Sequence, residues 1–460
     1  MSRSIPMQKA YRHIRAVVGR IIFIGLGIQI ILGILWMFCN FGNLQKFGES
    51  LFYIEVSKSF LCDEYTGALY PVLLMLVRGI EGLLHIPYTY VIHLLQVSAA
   101  GYAGWRFLGA VGVRKRGYRV FGSLAILTVP MAMQCHLAVL PNSLTLSAIL
   151  MELAFVAEAV GEDGPLQGKQ LVKANACWLV SALLMPDYLY LGAVPVVLLW
   201  IYDAWKYRKQ KERGVFWHLL LIAAFAGMIA GTNALIQEPG CYGRPEKTVD
   251  AALFRRFNWG DLQGDWEDWP EDMKESCSFE FTREVSNYAE NMEGMLQPQL
   301  EASVGVERAQ EIYRELNKQA VNNNFKEILH QITWDAVGYT LPAAALRLFF
   351  EGRGYESFAG RNYEIMKEKM PLLTRYYVDY SGWWLVAGIV LTAIVELILL
   401  LQKNKKRPAM GVICIVSAGV LILWYIMQGA GVWDYKNGLL VGALWSVWMV
   451  HRAVKCTDEE

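Results

Sequence analysis

The stretch "NFGNLQKFGESLFYIEVSKSFLCDEYTGALYP", residues 40 to 71, sets four carboxylates, Glu49, Glu55, Asp63 and Glu64, directly after an almost unbroken apolar run. A carboxylate in that position is either solvated decoration or a base. Desolvation among aromatic rings moves a carboxyl toward the range in which it can take a proton from a hydroxyl. Read as a helix, "GESLFYIEVSKSF" puts Glu49 on the same side as Tyr53, Val56 and Phe60, and turns Glu55 away toward Lys58. Glu49 is thus the acid expected to be partly buried, although a helix cap facing head groups accounts for it as simply. Asp63 and Glu64 are adjacent and would diverge on a helix; Thr66, Gly67 and Pro71 favour an irregular segment in which both can serve one atom.

Other polar residues fall where they would face the same region. They are His136 and Asn142 in "CHLAVLPNSL", Asp187 in "LMPDYLYLG", and Asp434 with Lys436 in "GAGVWDYKNG". Ionisable groups near membrane depth usually face a cavity or a polar surface, with hairpin solvation as the competing account, the better one for Asp434. Arginine becomes informative if the ligand is a phosphate, because its fork of N–H donors holds phosphate oxygens as charge develops. Arg347 and Arg353 stand in "LPAAALRLFFEGRGYESFAGR", and Arg255 with Arg256 in "ALFRRFNW"; each alone also reads as an ordinary surface arginine. The sequence names no cofactor. A divalent cation held by Asp261, Asp265, Glu267 and Asp268 is the one candidate, but their spacing fits no EF-hand loop and a solvated acidic loop explains them equally.

These residues need elements to position them, and the composition says which kind. The 460 residues are 55% hydrophobic and 18% charged, too apolar for an ordinary soluble chain and too long for a single anchor. A net charge of +1 gives no global field for nucleic acid. Eight cysteines occur without a C-x-x-C pair, against a zinc ribbon or thioredoxin-type site. Residues 21 to 38 are uncharged and close to the ~20 residues that cross a ~30 Å hydrocarbon core; Arg12, Arg15 and Arg20 precede them, and "LWMFCN" lacks the small residues of a cleavage site, so this reads as a retained first span with its N-terminus in the cytoplasm. Further spans are expected near 88–108, 120–138, 143–160, 171–186, 188–204, 214–235, 382–401, 409–427 and 437–451. Basic clusters at residues 114–119, 206–213 and 403–407 fall on alternate connections, which places both termini in the cytoplasm.

The fold expected is mainly α: a polytopic membrane protein of about ten transmembrane helices, with residues 1–235 carrying spans one to seven and 382–460 spans eight to ten. The first exterior loop, 39–87, contains surface helices, of which "ALYPVLLMLVRGIEGLLHI" is amphipathic and suited to lie flat. Residues 236–381 form an exterior domain, acidic with 25 Asp plus Glu against 16 Lys plus Arg. Repeats of apolar residues at three and four in "VERAQEIYRELNKQA" make it mostly helical. Trp36, Trp383, Trp384, Trp105, Trp205 and Trp217 sit at expected span boundaries as belt anchors. Cys241 with Cys277, and Cys39 with Cys62, share a side and could pair. The absence of an N-x-S/T sequon favours a bacterial plasma membrane.

This layout resembles the GT-C superfamily of membrane glycosyltransferases, which includes the dolichyl-phosphate-mannose protein mannosyltransferases and the bacterial aminoarabinose transferases. The resemblance rests on a first exterior loop with the family pattern D-E-x-x-Y-x-x-x-A, met here by Glu49, Ser50, Tyr53 and Ser57 in "GESLFYIEVS". It rests also on "LYP" at residues 69–71, with Tyr70, and on the proline-led "LPNSLTLSAILMEL" from residue 140, similar to the family's fourth span. The chain departs from the pattern in having Glu for Asp, no second acid after Glu49, and Asn142 where an acid often stands. The resemblance implies a polyprenyl-phosphate-linked sugar as donor and a lipid, glycan or protein acceptor at the outer face of the bilayer. Transfer would be inverting, with Glu49 or Asp63, beside Glu64, as base, and arginines such as Arg347, Arg353 or Arg255 on the departing phosphate. Tyr53, Tyr70, His136, Asn142 and Asp187 would line the substrate pocket. Two other readings compete. An O-antigen ligase or polymerase shares the late exterior loop, but would use arginine and histidine there, and only His330 occurs. A transporter, flippase or scaffold would do no such chemistry; a transporter should show paired halves or charges within its spans.

Overall fold

The computed structural model describes residues 4–41, 50–59, 67, 69–161, 168–185, 189–207, 212–235, 249–257, 269–286, 292–340, 371–401 and 435–458. Among them the chain is helical throughout, with no strand. The first helix, α1 (Ser4–Asn40), runs 37 residues, ~55 Å at ~1.5 Å per residue, which outreaches a hydrocarbon core. Its apolar residues divide between two faces. Ile14, Val17, Ile21, Ile24, Ile28 and Ile31 recur at three and four and are exposed, while Val18, Ile22, Leu26 and Ile30 are buried in the main core. An isoleucine stripe left open on a helix otherwise well packed suits contact with lipid rather than water.

Two short helices follow, α2 (Ser50–Ser59) and α3 (Leu69–Leu84), then α4 (Tyr88–Ala110), α5 (Arg116–Leu127), α6 (Pro130–His136), α7 (Asn142–Gly161), α8 (Gly168–Leu184), α9 (Leu189–Tyr207) and α10 (Glu212–Leu235). Within this set α4, α7 and α8 pack side by side, and α5 lies against α4. The expected span over 120–138 is corrected: it is two helices, broken at Thr128 and Val129. Pro130 explains the break, since its ring disfavours helical backbone in the preceding residue and it has no N–H to continue the ladder. The last two helices, α16 (Pro371–Leu401) and α17 (Tyr435–Asp458), return to α1. Glycine makes that return close: a Cβ at Gly25 would fall inside the Trp384 ring, and one at Gly33 would stand 2.6 Å from Thr128 Cβ. Tyr380 Oη donates to the Gly25 carbonyl at 3.1 Å, and Tyr377 Oη to the Thr128 carbonyl at 2.7 Å. Trp36 and Trp384 are thereby corrected from belt anchors to packing residues, Trp36 against the Tyr377 ring at 5.7 Å; Trp383 and Trp217 remain exposed. Near its middle, at Gly19, α1 meets the last turns of α17, at Ala453 and Cys456. There Arg452 and Trp448 both hold Glu396 of α16, Trp448 Nε1 donating at 3.0 Å.

Three of the described helices are long and apolar enough to cross a membrane, over Ala10–Asn40, Asn142–Val160 and Tyr380–Ile398. The other crossings expected among the described residues are helical, with shorter apolar stretches at Gly192–Tyr202 and Trp217–Thr232; 409–427 lies outside the described residues.

The segment from Val249 to Thr340 has a core of its own. It contains α11 (Val249–Phe257), α12 (Glu271–Ser276), α13 (Phe279–Ser286), a π-helical turn (Met292–Leu296), α14 (Gln297–Val304) and α15 (Val306–Thr340), the last kinked at Asn324. Ala309, Ile312, Tyr313 and Leu316 bury one face of α15, as their spacing requires, and Tyr313 stacks on Phe254 at 4.8 Å. Cys277 is buried in this core, which pushes its thiol up to about 11; Cys241 and Cys62, the expected partners of Cys277 and Cys39, lie outside the described residues. Arg308 forks onto Asp272 at 2.5 and 3.3 Å and holds that carboxyl below its usual range. A depressed carboxyl stabilises the fold above its unfolded value and loses that contribution as pH falls through the folded one. Because both partners are about a third exposed, the effect is screened: Asp272→Asn should cost about 0.5–1 kcal/mol at neutral pH. The difference from the parent chain should shrink as pH falls below the ordinary carboxyl range and the depressed Asp272 carboxyl takes up its proton, read as hydrogen exchange at Ile312 and Leu316 in the full chain.

Candidate functional site

The described parts of the first exterior loop fold onto the start of α7. On α2, Tyr53, Val56 and Ser57 are buried, whereas Glu55 is exposed and pairs with Lys58 at 2.6 Å, the division of faces that the helical spacing requires. Pro71 sits in the first turn of α3, where its missing N–H costs nothing. That helix buries Tyr70, Leu74 and Val77 and leaves Leu76, Leu83 and Leu84 exposed, as a helix lying in a membrane surface would. The two helices are joined by an edge-to-face pair, Tyr53 on Tyr70 at 5.3 Å, and by Arg78, whose guanidinium donates to Ser57 Oγ at 3.3 Å. Gly67, between them, lies against the terminal carbonyls of α8, Leu183 and Leu184.

Beneath Tyr70 the chain turns from α6 into α7. Residues 137–141 are not helical, so the carbonyls that close α6 lack helical donors. Gln96, on α4 and fully buried, supplies them: its Nε2 reaches the carbonyls of Cys135, His136 and Ala138 at 2.9, 3.0 and 2.9 Å, and its Oε1 accepts from Tyr70 Oη at 3.1 Å. Burial, with the Tyr53 and Tyr88 phenols nearby, raises the Tyr70 hydroxyl well above its ordinary value, so it stays a neutral donor. His136 Nδ1 and Ser143 Oγ are 2.7 Å apart, and Ser147 Oγ donates to the Ser143 carbonyl at 2.8 Å. Asn142 opens α7 with 2% exposure, and neither its amide nitrogen nor its oxygen has a partner among the described residues. An amide that offers an acceptor beside its N–H donors matches a hydroxyl pair better than a phosphate, which only accepts.

Of the residues that the sequence singled out, Tyr70 and the His136 carbonyl meet at the Gln96 amide, Tyr53 packs on the Tyr70 ring, and Asn142 begins the helix that follows. Residues 138–140, between His136 and Asn142, share an apolar cluster with both tyrosines. Glu49, Asp63, Glu64, Asp187, Arg347 and Arg353 lie outside the described residues, as do the acids of 261–268. Arg255 falls on α11, in the separate core, and its side chain is outside the described part. No group of three or more His, Cys, Asp or Glu that could hold a metal occurs among the described residues. The sequence reading missed Gln96 and Ser143, which carry no local signal: one glutamine in an apolar helix becomes informative only when its partner turn, about 40 residues on, is placed beside it. It also missed Glu152 and Glu158, inside the expected span from 143. Glu158 is paired with Arg106 at 2.7 Å, whereas Glu152 is fully buried with neither oxygen bonded among the described residues. No protein-family model, curated protein or solved structure matches this chain.

If Gln96 holds the turn, its loss should cost far more than loss of its tyrosine. Tyr70→Phe is expected to lower unfolding stability in micelles by about 1 kcal/mol, and Gln96→Leu, which strands several buried carbonyls, by about 3 kcal/mol. Denaturant titration followed by tryptophan fluorescence measures both.

Proposed function

We propose that this chain is a polytopic membrane glycosyltransferase of GT-C type, which moves a sugar from a polyprenyl-phosphate donor to a cell-envelope lipid, glycan or protein on the extracytoplasmic side. What supports the reading is the packing of α2 and α3 on the turn before α7, where Tyr53 and Tyr70 share an apolar cluster with residues 138–140 and Tyr70 meets the His136 carbonyl through Gln96, with Asn142 two residues further on. Glu49 adjoins α2 in sequence, while Asp63 and Glu64 belong to the connection that ends at Gly67. In this reading an acceptor hydroxyl attacks the anomeric carbon as the bond to the lipid phosphate breaks. Its proton goes to Glu49 or Asp63, and the electron pair leaves on the phosphate oxygen, stabilised by Arg347, Arg353 or Arg255. Asn142 and Tyr70 would hold sugar hydroxyls. The ten-span, plasma-membrane topology with both termini cytoplasmic belongs to the same proposal. Three apolar helices of crossing length support it.

A second reading, proton-coupled transport, is favoured by one observation, the buried carboxyl of Glu152, which has no hydrogen-bond partner among the described residues, within a span-length helix.

The test is transfer of labelled sugar from polyprenyl-phosphate donors in membranes that contain the chain. Glu49→Gln or Asp63→Asn, whichever removes the base, should lower the rate by about 10²–10⁴-fold at normal expression. Undiminished transfer in both variants would remove the carboxylate mechanism.

A further inference from the structure

Glu152 stands in the middle of the apolar stretch Asn142–Val160, ten residues after its start. At ~1.5 Å per residue that is ~15 Å in, half of a ~30 Å hydrocarbon core. It faces protein, not lipid: its exposure is 0%, and Ile149 and Phe155, a turn away on either side, are buried as well. On α8, which packs against α7, Asn175 is also fully buried; its Nδ2 donates to the Leu171 carbonyl at 2.9 Å, and its Oδ1 has no partner among the described residues. Glu152 stands nine residues before the end of α7 and Asn175 seven residues after the start of α8, so in an antiparallel pair the two fall at similar depth, and the Cys177 thiol, on another side of α8 from Asn175, is within electrostatic reach of Glu152.

Two orphaned oxygen-bearing side chains at one depth of a dry bundle are costly unless a positive charge joins them. A bare carboxylate there is penalised by several kcal/mol. Three oxygens are too few for a dehydrated alkali cation and sufficient for a proton, which Glu152 would carry and point at Asn175 Oδ1. Among the described side chains of the helices packed against α7, Tyr202 is on α9, Lys169 of α8 and Lys455 of α17 are exposed, and the cations nearer to Glu152 have contacts of their own. Arg106 of α4 holds Glu158, Lys173 of α8 sits over the Phe155 ring, His136 of α6 meets Ser143, and Arg452 of α17 holds Glu396. His93 of α4 lies edge-on to Phe41, and His451 of α17 is beside Arg452.

We propose that Glu152, with Asn175, is a proton-exchanging site at the middle of the membrane, so that the chain's work is coupled to proton uptake and release. The inference does not depend on the glycosyltransferase reading, since neither residue belongs to that site.

The experiment uses the full chain in liposomes and dicyclohexylcarbodiimide, an apolar reagent for protonated carboxyls. The acid's proton passes to a carbodiimide nitrogen, its oxygen bonds the central carbon, and the adduct rearranges to a stable N-acylurea with nothing lost. One adduct should map to the peptide containing Glu152 and be absent in Glu152→Gln. Labelling should fall roughly tenfold per pH unit above the midpoint, unaffected by added sodium. The carboxylic-acid infrared band that disappears in Glu152→Gln should shift promptly in D2O. Asn175→Ala, which keeps the carboxyl, should move the pH midpoint. A band that does not exchange marks a sealed structural acid and overturns the proposal. Labelling blocked by sodium at constant pH overturns it in favour of an alkali-cation site, and an unmoved midpoint in Asn175→Ala removes that residue from the site.

Discussion

Irregular backbone buried within an apolar bundle is tolerated only where protein supplies every hydrogen bond that water would otherwise make. In this chain that constraint falls on one side chain. The turn from α6 into α7 ends a helix early, and the Gln96 amide closes the carbonyls so freed while accepting from Tyr70. The head of α7, the His136–Ser143 pair and the orientation of Asn142 all follow from where that turn is pinned, and through Tyr70 so does the seat of α3. A surface element and a buried one are thereby locked to the same four-helix neighbourhood.

Charge is distributed within the bundle by the same logic. On α16, Glu396 is held by Arg452 and Trp448 of α17. Glu158, toward the end of α7, is held by Arg106, which also lies over the Phe155 ring. These arrangements satisfy a desolvated carboxylate on the spot. Glu152, in the same helix as Glu158, has no such arrangement among the described residues, and that contrast is what the proposed proton site rests on.

Much of this was legible in the residues. The apolar run from 21, the amphipathic stretch from Leu69 and the division of α2 into a buried Tyr53 side and an exposed Glu55 side follow from spacing alone. So does the helical exterior segment with its buried Ile312, Tyr313 and Leu316. The break before Pro130 was written in the sequence and concealed by the apolar residues around it, because hydropathy measures composition and not continuity of the hydrogen-bond ladder. Gln96, Asn175 and the separate fates of Glu152 and Glu158 were not legible. They depend on how α4, α7 and α8 are registered against one another, and no local pattern encodes a register between segments dozens of residues apart.

The glycine-bearing side of α1 packs against helices that begin at Pro371 and Tyr435. A chain grows at about 5–20 residues per second, so on the order of tens of seconds separate the emergence of this first helix from that of its last partners. During that interval Gly25 has neither the Trp384 ring nor the Tyr380 hydroxyl against it, Gly33 has Thr128 but not the Tyr377 ring, and the bundle cannot close. Assembly is therefore a late event governed by completion of the C-terminal helices, and a nascent chain stalled before Pro371 would present α1 to lipid or to a holding partner in the meantime.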